Sequence, residues 1–288
     1  MAKVGDIIDG KKVVLKIGEG DNPQDAYCTT YQMRNFYSQF KDGFISNLDV
    51  MNYIQHFKAA LMAKKDMTVV DVCCGRSLML PLLRYYAKDI KNYIGVDISE
   101  TNIKEAKKGA SHKGLKEEDL KDYYPFDVDW ILTYCSKMAE HIEHESTDLV
   151  IYTSAIEYMH KDIGYQSLKE CHKIMNNNAI MFLSCPNTPG NGYDTQYAAH
   201  IYEWGYDELK EALDEIGFEI IQEVGLVMGA KEMNEFYATQ PTEIQEFYKK
   251  LKAYIPTQFL TTIMGVPYPK ASKEILFFVR KKNKNKLF

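Results

Sequence analysis

Two short apolar runs, one closed by small residues and the other by an acid, constrain this chain more than any other feature. Val69-Val70-Asp71-Val72-Cys73-Cys74-Gly75-Arg76-Ser77 is β-branched and ends in small residues around a glycine. Tyr93-Ile94-Gly95-Val96-Asp97-Ile98-Ser99 is the second run. Near-continuous Val and Ile belong to strands covered on both faces, as in a parallel sheet. A turn of small residues lets the backbone come close to a ligand. An acid at the end of the neighbouring strand can accept hydrogen bonds from the two hydroxyls of a ribose. Together the runs predict a pocket for an adenosine-containing cofactor at the carboxyl ends of two adjacent strands.

The rest of the chain alternates in the same way. Strands are expected at 68–73, 93–98, 130–134, 148–153, 179–185, 218–221 and 275–279. Helices are expected at 78–87, 100–108 and 164–175, with a further one from Asp207 as its cap to Ile216. Ser99 reads as an N-cap and Gly217 as a helix stop. Before this unit lie a strand-like run at 12–17, an aromatic helix at about 27–44 and an apolar-faced helix at 48–63. The fold class is therefore α/β: a doubly wound, Rossmann-like, seven-stranded and mostly parallel sheet. An N-terminal strand and aromatic helical lid take residues 1–66. The core takes 67–288 and carries a helical insertion at 225–270 before the last strand, helical around 232–254.

The 288 residues, 45% of them hydrophobic, allow one large domain with a full core. A formal net charge of −5 disfavours, without excluding, a nucleic-acid partner held by phosphate neutralisation. The basic tail from Arg280 to Lys286 reads as a solvated end. The six cysteines have no C-x-x-C spacing, so no metal site is expected and the thiols read as buried groups in a reducing compartment. Lacking a signal-like segment or an 18-residue apolar stretch, the chain reads as cytoplasmic, without membrane attachment. The sequence leaves the oligomeric state open.

At Asp71, Cys73, Gly75 and Ser77 the chain resembles class I S-adenosylmethionine-dependent methyltransferases, whose first motif is D-x-G-x-G-x-G. Two of the motif's glycines are here small non-glycine residues. A nicotinamide dehydrogenase would need G-x-G-x-x-G, and only Gly75 lies between Val72 and Leu83. The resemblance implies S-adenosyl-L-methionine as cofactor, a fold of the kind expected above, and roles for Asp97 at the ribose and Asp71 near the methionine end.

A narrower likeness runs over roughly residues 31–237. Met33 to Lys41 is similar to L-R-N-F-N-N-W-x-K of the cap guanine methyltransferases, and implies that Lys41 reaches the cofactor's carboxylate. Thr133-Tyr134-Cys135-Ser136-Lys137 is similar to their A-D-C-S-K, with Tyr134 in place of the Asp that faces adenine. Asp148 through Tyr158 matches D-I-C-S-C-Q-F-V-C-H-Y, with Glu157 in place of His. Leu183 to Thr188 and the late Asn234-Glu235-Phe236-Tyr237 are similar to G-T-T-P-N-S and E-F-Y.

The expected cofactor contacts are Lys41, Asp71, Cys73, Gly75, Asp97, Ile98, Tyr134, Cys135, Ser136 and Thr153. Tyr31, Tyr37, Tyr158, His200 and Tyr237 are the expected acceptor contacts. Methyl transfer from a sulfonium needs alignment, dryness and at most one proton acceptor. Glu157, after the fourth strand, and His200, in the loop after the fifth, are the candidates for that chemistry. The expected acceptor is a small or nucleotide-like molecule methylated on nitrogen or oxygen. An RNA cap, or a non-catalytic methyltransferase-like subunit, is the alternative.

Overall fold

The computed structural model describes residues 7–8, 11–12, 47–108 and 123–282. Ile7–Ile8 pairs antiparallel with Lys11–Lys12. Most of the expected 12–17 strand and the aromatic helix at 27–44 lie outside the described residues.

Seven strands form the main sheet: β1 (Thr68–Val72), β2 (Asn92–Asp97), β3 (Asp127–Leu132), β4 (Thr147–Thr153), β5 (Met175–Pro186), β6 (Phe218–Leu226) and β7 (Glu274–Lys281). Their spatial order is β3-β2-β1-β4-β5-β7-β6. β1 to β5 run parallel, while β7 runs antiparallel to both β5 and β6. The order reverses between β1 and β4. In open α/β sheets such a switch point opens a crevice at the carboxyl ends of the strands.

Period-2 alternation sends side chains to two cores. Val70, Val72, Val150, Tyr152, Met181, Leu183, Ile275 and Phe277 face one, against Leu168, Cys171 and Leu209. Val69, Leu149, Ile151, Phe182, Leu276 and Phe278 face the other, against Ala59, Ala60, Leu80 and Leu83. Each fully buried aliphatic side chain contributes about 1.5–3 kcal/mol, so two filled faces hold the sheet between its layers of helices.

The first core is covered by α4 (Lys161–Ile174) and α5 (Tyr206–Ile216), the second by α1 (Asn47–Met62) and α2 (Met79–Tyr86), and α3 (Glu100–Lys107) follows β2. Ser99 caps α3 as expected, its Oγ accepting the Asn102 N–H at 2.9 Å. Gly217 ends α5 at φ 104°, a left-handed stop that favours glycine. The start of α5 differs from expectation. Gly205, rather than Asp207, is the N-cap residue, and Glu208 reaches back to the Gly205 N–H.

The strands extend beyond the apolar runs. β6 continues to Leu226 because pairing with β7 satisfies its backbone even where Gln222 and Glu223 face outward. The insertion holds three helices, α6 (Ala230–Ala238), α7 (Thr242–Tyr254) and α8 (Thr257–Ile263), rather than the one helical stretch expected at 232–254. Pro241 and Pro256 stand at the N-caps of α7 and α8 and prevent continuation of the preceding helices. Among the described residues, no helix is long and apolar enough to cross a membrane.

Candidate functional site

The turn after β1 carries the first part of the site. Cys73, Gly75 and Ser77 all have positive φ, at 58°, 54° and 58°. The backbone thus keeps a left-handed conformation at three alternate positions, although only one residue is glycine. Holding an L side chain there costs about 1–2 kcal/mol, so neighbours must offset it. Ser77 Oγ accepts the indole N–H of Trp130 at 2.8 Å. Cys73 is hydrogen-bonded to Cys135, which pushes the Cys73 thiol up and holds the Cys135 thiol down. Arg76, buried in the same turn, pairs with Glu105 on α3 at 2.5 Å. A Cβ added at Gly75 would meet nothing within 4 Å, so the space above this turn is open.

Asp97 closes the turn from the end of β2. One carboxylate oxygen accepts the Gly75 N–H at 2.8 Å and the other accepts the Ser99 N–H at 2.7 Å. Its side chain is buried, and burial raises its pKa against these hydrogen bonds. The Asn102 side chain is a further hydrogen-bond partner, and a carboxylate's roughly four lone-pair sites still leave room for a hydroxyl. Asp71, also buried, takes the Tyr93 hydroxyl at 2.7 Å. Burial pushes it up to about 7, with Asp97 adding to the rise and the Tyr93 bond opposing it.

The turn after β3 flanks this space. Cys135 is buried and Ser136 half-buried, while Ile98 and Tyr134 are exposed, Tyr134 by 57%. Thr153 ends β4, half-buried and in register with Ser184 of β5. The structure thus brings Asp71, Cys73, Gly75, Asp97, Ile98, Tyr134, Cys135, Ser136 and Thr153 to one rim of the sheet. Tyr31, Tyr37 and Lys41 lie outside the described residues.

The second part of the site follows β4 and β5. Ser154 has φ 46°, and a short 3-10 turn at Ile156–Tyr158 comes next. Glu157 is 2% exposed. Its backbone carbonyl accepts from the N–H groups of Ile201 and Tyr202, which ties the two loops together. His200 is also buried, and Tyr158 packs edge-on against it at 4.8 Å. Glu157, Tyr158 and His200 therefore meet, as their places after neighbouring strands imply. Tyr237 does not join them. It stacks on Tyr248 at 4.4 Å within the separate apolar cluster of the insertion.

Several residues here carry no signal in the sequence. His200 Nδ1 is bonded to Glu203, which also takes the Thr188 hydroxyl and the Gln196 N–H. Burial would raise the Glu203 pKa, but the bonds from His200, Thr188 and Gln196 outweigh it and the net shift is downward. Glu274 opens β7 and accepts from Gln55 Nε2 of α1 at 2.7 Å. Burial pushes Glu274 up to about 8. The His200–Glu203 spacing of three residues was the one available hint. Nothing in Lys273-Glu274-Ile275 marks Glu274 as more than a strand start.

Comparison with known proteins bears on the family and the fold. The chain matches the profile of a family described as "Methyltransferase domain" over residues 43–223, more than half its length, and belongs to that family. A chain from the complex between the Haloferax volcanii Trm112 methyltransferase activator and a methyltransferase superposes with a TM-score of 0.55 at 14% identity, over 91% of this chain and 99% of that one. A SAM-dependent methyltransferase from Archaeoglobus fulgidus gives 0.51 at 16% identity, over 85% and 99%. A TehB-like SAM-dependent methyltransferase from Corynebacterium glutamicum gives 0.53 at 13%, over 91% and 100%. At such identities the likeness carries the fold, which is that of SAM-dependent methyltransferases. No curated protein matches the chain.

Proposed function

We propose that the protein transfers a methyl group from S-adenosyl-L-methionine to nitrogen or oxygen of a small-molecule or nucleotide-like acceptor. The observation that carries this reading is the left-handed backbone at Cys73, Gly75 and Ser77, closed by Asp97 beneath open space. The bound cofactor would supply an already activated methyl group on a sulfonium. Asp97 would hold the ribose hydroxyls. The backbone of Cys73 and Gly75, with Asp71 beneath, would line the methionine side, while Ile98, Tyr134, Cys135 and Ser136 would surround the adenine. Thr153 would stand between cofactor and acceptor. Of the N-terminal unit expected at 1–66, Tyr31, Tyr37 and Lys41 lie outside the described residues. Glu157, Tyr158 and His200 would meet the acceptor.

Net charge and the buried acids near Glu157 favour a small acceptor over RNA. The likeness to cap guanine methyltransferases depends in part on residues 33–41, outside the described segments.

Calorimetry with S-adenosylhomocysteine tests the reading. The wild type should bind. Asp97→Ala should bind on the order of 10- to 100-fold more weakly, because charge-assisted hydrogen bonds are worth about 1.5–3 kcal/mol. Equal affinity in a folded variant would remove Asp97 from the site. No binding by the wild type would favour the non-catalytic subunit.

A further inference from the structure

Three buried glutamates come together from three elements at the carboxyl end of β4 and β5. Glu157 comes from the 3-10 turn after β4, Glu203 from the loop after β5, and Glu274 from the first position of β7. They are 2%, 0% and 4% exposed. They lie close enough that Glu274 and Glu203 both raise the pKa of Glu157.

A partner count separates them. Glu203 is satisfied by His200, Thr188 and Gln196. Glu274 is held by Gln55 and by Ser184. The Glu157 Oε2 atom is buried without a hydrogen-bond partner. Among the described residues, no lysine or arginine forms an ion pair with any of the three. A buried carboxyl oxygen without a donor is costly and rare in folded proteins. A positively charged hydrogen-bond donor would fill this place and let the carboxyl ionise beside it.

We propose that Glu157 recognises the methyl acceptor through an organic cation, such as an ammonium, amidinium or protonated N-heterocycle. This deepens the methyltransferase reading and rests on it. The aromatic wall suits such a ligand. The rings of Tyr158 and Tyr197 lie 4.8 Å and 5.3 Å from the His200 ring, and tyrosine faces attract cations. An anionic acceptor would meet the ionised Glu203 and would hold the other two carboxyls in their neutral form. A metal ion is a poorer occupant, because no group of three His, Cys, Asp or Glu side chains among the described residues is arranged to hold one.

The test uses the full chain saturated with S-adenosylhomocysteine, whose binding is first measured by calorimetry. Benzamidinium and 2-phenylethylammonium are then titrated and followed by ligand-observed NMR, beside neutral benzamide and 2-phenylethanol and anionic benzoate. The cations should bind at least roughly tenfold more tightly than their neutral counterparts, and benzoate should not bind. Glu157→Gln, which keeps the shape but cannot ionise beside a cation, should erase that preference. Three results would overturn the proposal: equal binding of cations and neutral isosteres by the wild type, an undiminished preference in the variant, or Mn²⁺ binding at this site in place of the organic cations. The wild-type comparison needs no variant, so a misfolded Glu157→Gln would not shield the idea. Failure of S-adenosylhomocysteine itself to bind would sink the methyltransferase reading and this inference with it. Its binding without any cation preference would sink this inference alone.

Discussion

Glu274 alone should cost the free protein about 2 kcal/mol of stability between about pH 6.5 and pH 8, and Glu274→Gln should remove that share of the decline. Burial pushes the Glu274 carboxyl from its ordinary value of 4.5 up to about 8. Through that window the folded chain keeps this proton while the unfolded chain has released it. A raised folded pKa means that the group's contribution is complete at low pH, below the unfolded value. It then declines as pH rises, at about 1.4 kcal/mol per unit, until the folded pKa is passed. Glu157 is pushed up by burial too, with Glu274 as the next cause, so it acts in the same direction. Asp71, near 7, adds to the lower part of the window. His56 of α1 works the opposite way, since poor solvation holds it down to about 4. Its effect is nearly complete by pH 6.5, which is why the window starts there. The glutamine side chain mimics a neutral glutamic acid and its carbonyl can still accept from Gln55 Nε2. Chemical denaturation at several pH values, for the wild type and the variant, measures the difference. Parallel declines in the two proteins would show that Glu274 is not the group that titrates.

The sheet was legible from the sequence because its strands are buried on both faces and so read as apolar runs. Val69 to Val72, Leu149 to Tyr152 and Ile275 to Val279 need no neighbour to be recognised. The edges were harder to see. Asp127-Val128-Asp129 opens β3 with two acids, since an edge strand has one wet side and its pairing with β2 sets its length. The turn after β1 was located by Asp71 and Gly75 alone. Its conformation at Cys73 and Ser77 depends on Trp130 and Cys135, far along the chain. Asp97 was legible because a strand end places it. Glu274 was not, because its significance arises only when β7 enters antiparallel and sets its first residue beside Gln55 and Glu157. Long-range juxtaposition of this kind leaves no local pattern. Pro241 and Pro256, by contrast, stood in the sequence as breaks in the insertion, and aromatic spacing alone masked them.

Replacing His200 by alanine should lower kcat by about 100-fold or more while leaving S-adenosylhomocysteine affinity intact. Nδ1 of the ring is bonded to Glu203, so Nε2 is the nitrogen that can face an acceptor. Glu203 is fully buried, yet the bonds from His200, Thr188 and Gln196 outweigh burial and keep it ionised. An ionised carboxylate on Nδ1 fixes the ring and stabilises the imidazolium that forms when Nε2 takes a proton. Nε2 would take the proton of an N–H or O–H outside the acceptor's cationic group as that atom's lone pair is methylated. The bound cofactor would supply the methyl group, and the electron pair of its sulfur–methyl bond would stay on sulfur. Glu203→Gln removes the charge without removing the ring, so it should lower kcat by less than His200→Ala does and leave KM for the acceptor nearly unchanged. That split marks Glu203 as a positioning residue, whereas a merely structural one would lower the folded fraction without altering the constants of the folded enzyme. The measurement is S-adenosylhomocysteine release with an acceptor of the cationic class proposed above. An acceptor atom that is already nucleophilic and unprotonated needs no base. A loss of less than about threefold in the alanine variant would therefore exclude His200 from the proton transfer and leave the site to act by alignment alone.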